Sequence, residues 1–203
     1  MRPLGDVQPT QQIFEFSCGS AALKAVLKHW GMDVDEPTLI DLIGVDPKTG
    51  STAYQVETAA KKLGYQAITF EFDNVEELKP FVDNHVPVIM AIQSFKRPDQ
   101  GHFVVGTKVN QATIDIMDPN VKGNWRTISK NEATRRWKFR DNVGIVVTPK
   151  SGLGELDWVR SRNRQMYDYG RGVGIAEDAT CNPLLWAVGG IAATLAAVWL
   201  ITR

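Results

Sequence analysis

Gln12-Ile13-Phe14-Glu15-Phe16-Ser17-Cys18-Gly19-Ser20-Ala21-Ala22-Leu23 runs from a mixed loop into an alanine-rich apolar segment. Ala21, Ala22, Ala25, Val26 and Leu27 recur at helical spacing and Gly31 follows, so a helix is expected over 20–30 with Cys18 at its first turn. A helix N-terminus carries roughly half a positive charge and unpaired N–H groups, and both favour thiolate over thiol. Gly19 leaves the sulfur accessible. Gln12 can donate its side-chain amide to a developing oxyanion beside the Cys18 N–H. A cysteine on a helix is by itself more often a small core residue. The catalytic reading therefore depends on whether the chain also supplies a base and a group to orient it.

The chain contains three histidines. His29 lies on the Cys18 helix, about 16 Å along its axis, too far to serve. His85 falls in a turn, Asn84-His85-Val86-Pro87, and reads as solvated. His102 opens an apolar strand, Gly101-His102-Phe103-Val104-Val105, where it can project into a cleft. The segments 102–109 and 113–117 read as two strands joined by a tight turn at Asn110-Gln111. In such a hairpin the start of the first strand lies beside the end of the second. Asp118, which follows the second strand, then comes within reach of His102. Taken alone, Asp118-Pro119-Asn120 is an ordinary turn composition.

Further helices are expected near 37–43, with Pro37 at its start, from a Ser51 or Thr52 cap to residue 63, and over 75–84, interrupted by Pro80. Another is expected over 129–137, where Ser129 and Glu132 form a capping-box pattern. Residues 66–72 alternate as a strand, 86–93 reads as a buried strand and 143–148 as a further strand. Helices first, then mostly antiparallel strands, indicates an α+β domain over residues 1–149.

With Gln12, Cys18, His102 and Asp118 in place, the chain resembles the bacteriocin-processing, double-glycine-leader cysteine peptidases of the papain-like superfamily. The matching pieces are Gln12 six residues before Cys18-Gly19, the Ala21-Ala22-Leu23 continuation, Gly101-His102-Phe103-Val104-Val105, and Asp118-Pro119. The resemblance covers roughly residues 8–148. It implies a papain-like fold, helices packed on an antiparallel sheet, and acyl transfer. In that chemistry Cys18 is nucleophile, His102 base and acid, Asp118 orienter and Gln12 oxyanion donor, with cleavage after a Gly-Gly pair. The best-known members precede six membrane helices and an ATPase; here no Walker motif is present. A membrane-anchored cysteine peptidase that cuts a peptide or protein precursor, with a separate transporter as one candidate partner, is the first expectation. A catalytically silent adaptor that binds a leader at a membrane complex is the second, and a cell-wall peptide hydrolase the third.

The rest of the chain bounds these readings. Lys+Arg and Asp+Glu are equal at 23 each, so no global field suggests nucleic acid as a partner. Cys18 and Cys181 stand in unlike surroundings, with no metal-ligand spacing, and no cofactor is implied. Their usage suits a reducing compartment. The first residues lack the apolar core of a signal peptide. Residues 150–182 read as a linker or surface segment. Residues 183–202 carry no charge and would span about 30 Å as a helix, a bilayer's hydrocarbon thickness, with Trp186 and Trp199 near the ends. The expectation is a single-pass C-terminal membrane anchor. Arg160, Arg162, Arg164 and Arg171 precede it and Arg203 follows, which favours a cytoplasmic peptidase domain. Gly189, Ala193 and Ala197 give it a small-residue face for a membrane-helix partner.

Overall fold

A computed structural model describes residues 7–150. The expected anchor, the linker and Cys181 lie outside the described residues. Among the described residues, no helix is long and apolar enough to cross a membrane.

Helices α1 (Cys18–His29), α2 (Glu36–Ile43) and α3 (Ala53–Lys62) come first. They are followed by β1 (Gln66–Glu71), a 3-10 turn (Val75–Leu78) running into α4 (Lys79–Val82), and β2 (Val88–Gln93). Then come β3 (Gly101–Val109), β4 (Thr113–Met117), β5 (Trp125–Ser129), α5 (Lys130–Lys138) and β6 (Val143–Thr148). The six strands form one sheet in the order β1-β6-β2-β3-β4-β5, and every pairing is antiparallel. This is the α+β architecture expected from the chain.

Both faces of the sheet are covered, although antiparallel sheets often leave one to water. On β3, Phe103 meets Gly19 of α1, while Gly106, of opposite parity, meets Leu78 of the 3-10 turn. Residues Val88–Ile92 of β2 are accordingly buried without interruption. The same double cover explains a difference on β1. The segment alternates in sequence, yet Ala67, Ile68, Thr69 and Phe70 are all buried. Thr69 is accommodated because Glu57 of α3, itself buried, accepts its N–H at 2.9 Å and its hydroxyl at 2.6 Å.

Local signals set the element ends. Thr52 caps α3, with Gln55 completing a reciprocal capping box. At α5 only half of the expected box forms. Ser129 accepts the Glu132 N–H, but the Glu132 carboxylate pairs with Arg136 one turn on. The expected helix over 75–84 divides at Lys79, with Pro80 in the first turn of α4. β5 was not anticipated; it is short, polar and at the sheet edge.

Trp137 closes the core between α5 and β6. It is fully buried, donates Nε1–H to the Val143 carbonyl at 2.7 Å, and packs its ring 5.0 Å from that of Phe72. Trp137→Ala should therefore cost about 3–5 kcal/mol, read by urea denaturation. A loss under about 1 kcal/mol would mean that this end of the sheet is not packed as described.

Candidate active site

The hairpin register builds the site. β3 and β4 pair Val105 with Met117, so the chain leaving β4 runs back alongside the start of β3. The turn between them spans Asn110 to Ala112, and a register shift separates Gly106 from Lys108. His102 Nε2 meets Asp118 Oδ1 at 2.7 Å. The Asn120 N–H donates to that same oxygen at 2.9 Å, and Arg126 Nε donates to Oδ2 at 2.6 Å. Asp118 is 1 % exposed and both of its oxygens are in use.

Cys18 is the first residue of α1 and is buried, with His102 beside it. Because Asp118 occupies Nε2, the nitrogen left to face the sulfur is Nδ1. Gly19 serves close packing more than access. A Cβ there would fall 2.4 Å from Ser51 Oγ and 3.0 Å from the Phe103 ring, so only glycine lets α1 sit this near β3.

Gln12 joins the group through its backbone. Its N–H donates to the Pro119 carbonyl at 3.1 Å, tying the segment before Cys18 to the residue after Asp118. The Gln11 side-chain amide donates to the same carbonyl at 3.0 Å. The Gln12 side chain donates from Nε2 to the Phe14 carbonyl at 2.7 Å. One Nε2 hydrogen is thus committed to the loop, and the amide carries a second. The two other histidines stand apart: His29 is buried with its Nε2 on the His85 carbonyl, and His85 is an exposed turn residue at φ 59°.

Electrostatics follow from these contacts. Burial alone would push the Cys18 thiol up. The hydrogen bond and charge of His102, helped by the backbone amides of Phe103 and Gly19, outweigh it and hold the thiol below its usual value. Burial alone would lower the His102 pKa, but Asp118 and Cys18 raise it to about 9. Burial likewise opposes ionisation of Asp118, whose bonds to His102, Asn120 and Arg126 bring it to about 2. These contacts favour the thiolate form of Cys18, the imidazolium form of His102 and the carboxylate form of Asp118.

Arg126 was missed in the sequence because β5 was. Its guanidinium lies 4.2 Å from the Phe95 ring centroid, with Arg136 at 4.0 Å from the same ring. A cleft of about 390 Å³ opens beside the imidazole, lined by Ser94, Phe95, Lys96, His102, Asp118, Asn120 and Arg126. Among the described residues, no group of three or more His, Cys, Asp or Glu is placed to hold a metal ion.

A cysteine at a helix N-terminus, packed on an antiparallel sheet that presents the histidine and its carboxylate, is the arrangement of the papain-like cysteine peptidases. Within that class the chain belongs to the peptidase C39 family, whose family model matches residues 6–152. An uncharacterized protein of Methanothermobacter thermautotrophicus is 30% identical over 146 residues, covering 72% of this chain and 92% of that one. The lactococcin-G-processing and transport ATP-binding protein of Lactococcus lactis subsp. lactis is 29% identical over 137 residues. That match covers 67% of this chain but 18% of the relative. The crystal structure of the peptidase domain of Streptococcus ComA, a bi-functional ABC transporter involved in a quorum sensing pathway, aligns with a TM-score of 0.61 at 26% identity. It covers 71% of this chain and 99% of that domain.

The His102 imidazole should remain protonated through neutral pH and titrate near 9, followed by its NMR resonances. In Asp118→Asn the hydrogen bond and charge that raise this pKa are lost while burial remains, so the midpoint should fall. An unchanged midpoint would exclude Asp118 as the group that holds the proton on His102.

Proposed function

We propose that this chain is a cysteine endopeptidase that cuts a peptide precursor after a double-glycine leader. The observation that carries the reading is the continuous contact from Cys18 through His102 to Asp118 inside a C39-family domain. Cys18 Sγ attacks the carbonyl carbon of the scissile bond. The oxyanion is met by the Cys18 N–H and by the free hydrogen of the Gln12 amide. His102, held by Asp118, donates its Nδ1 proton to the leaving amine, and the N-terminal fragment remains as a thioester. Water then attacks the thioester, His102 takes its proton, and the leader is released as a carboxylic acid with the thiolate restored. Relatives named as processing and transport proteins support a peptide leader as substrate.

The reading extends to the whole chain. Residues 1–149 form the peptidase domain, residues 150–182 link it to the membrane, and residues 183–202 anchor it as one helix with the domain in the cytoplasm. A separate transporter or membrane helix is the partner, met through the small-residue face at Gly189, Ala193 and Ala197. Retention of the chain in the membrane pellet after carbonate washing, lost on deletion of 183–202, tests the anchor.

For the chemistry, the test is cleavage of a synthetic leader peptide ending in Gly-Gly, mapped by mass spectrometry. The wild-type chain should cut once, after the second glycine, and Cys18→Ala should not cut at all. Gln12→Ala should lower kcat by about 10²–10³-fold, as loss of an oxyanion donor does. Cleavage at an unrelated bond would overturn the leader assignment, and cleavage by Cys18→Ala would overturn the mechanism.

A further inference from the structure

A serine at a helix N-cap normally turns its hydroxyl onto an N–H of the first turn. Ser17 holds that position on α1 and makes no such bond. Its fully buried hydroxyl lies 2.7 Å from Glu36 Oε1 and accepts the Phe14 N–H at 3.1 Å. The hydroxyl also lies 3.0 Å from the Phe14 carbonyl, and the Glu36 oxygen is the nearer of its two acceptors. Glu36 Oε1 also receives the Ile13 N–H at 3.0 Å. Glu36, the first residue of α2, is only 3 % exposed. A carboxylate so buried is costly unless bonded, and it is bonded here to the loop that joins Gln12 to Cys18.

Those bonds have two consequences. The Phe14 carbonyl that anchors the Gln12 amide belongs to a loop clamped on both flanks, at Ile13 and at Ser17, by one oxygen of Glu36. Drawing the Ser17 hydroxyl away also leaves the first turn of α1 without a side-chain cap, so its N–H groups stay open to an anion. We propose that Glu36 is a positioning residue for the oxyanion site, acting through Ser17 and Phe14 on the Gln12 amide. This rests on the assignment of Gln12 as oxyanion donor.

Alkylation of Cys18 by iodoacetamide forms no oxyanion, whereas peptide hydrolysis does, so the two reactions separate positioning from general damage. In the full chain, Glu36→Ala should alkylate at the wild-type rate with the wild-type pH profile. Its kcat on the Gly-Gly leader peptide should fall about 10- to 100-fold, with KM little changed. Glu36→Gln keeps an oxygen acceptor and should recover most of that loss. Ser17→Ala, which removes the relay and leaves the carboxylate in place, should show the same split. Alkylation and hydrolysis falling together, or Glu36→Ala turning over like wild type, would overturn the proposal. Should the wild type cut no peptide, the peptidase reading fails, and NMR of the Gln12 side-chain amide decides on Glu36 alone. Distinct, protected resonances in wild type that become averaged in Glu36→Ala and Ser17→Ala uphold the clamp; unchanged resonances overturn it.

Discussion

The register of one hairpin is the constraint on which the site depends. His102 and Asp118 approach to 2.7 Å because β3 and β4 pair Val105 with Met117, bringing the chain beyond β4 back past the mouth of β3. A slip of one residue would turn every side chain of β4 to the opposite face. The contrast between the strand's faces guards against it: Ile114 and Ile116 are in the core, whereas Thr113 and Asp115 on the other face are half-buried. The loop after Asp118 is held as firmly. The Asp118 N–H donates to the Asn124 carbonyl at 2.8 Å, and Asn124 adopts φ 60° after Gly123 at φ 85°. Pro119 then offers its carbonyl to Gln11 and Gln12, so the hairpin also fixes the approach to Cys18.

Charge order makes such burial tolerable. Cys18, His102 and Asp118 are 8 %, 5 % and 1 % exposed, and burial alone would neutralise each of them. Each of the three instead borders a group that favours its charged form, and Arg126 closes the series on the far oxygen of Asp118. Arg126 in turn rests on Phe95, whose other neighbour is Arg136. Arg136 donates to the Gln93 and Ser94 carbonyls at 3.4 and 3.1 Å, linking α5 to the segment that borders the cleft. Packing on the side of the sheet away from α1 is thereby coupled to the orientation of the imidazole.

Periodicity and spacing were enough to place α1, the β3–β4 hairpin and the meeting of His102 with Asp118, because each rests on local pattern. The features that escaped were tertiary. β5 is a five-residue edge strand that buries none of its residues fully, and Arg126 went unseen with it. Glu36 looks like an ordinary acidic residue in the first turn of a helix; its burial against Ser17 and Ile13 follows from how α2 packs on α1, which no spacing reveals. The burial of Thr69 on β1 likewise rests on Glu57, which α3 supplies to it. Gly19 has a clear role only once Ser51 and the Phe103 ring are seen against it.

The central claim is that Cys18 and His102 form a thiolate–imidazolium pair. Its most direct test is the rate of iodoacetamide alkylation at Cys18 from pH 4 to 9, in the full chain and in His102→Ala, read by peptide mapping so that Cys181 is scored separately. Wild type should react rapidly well below pH 8, and the variant should lose that low-pH reactivity. Both proteins following an ordinary thiol near pH 8.5 would show that no such pair exists.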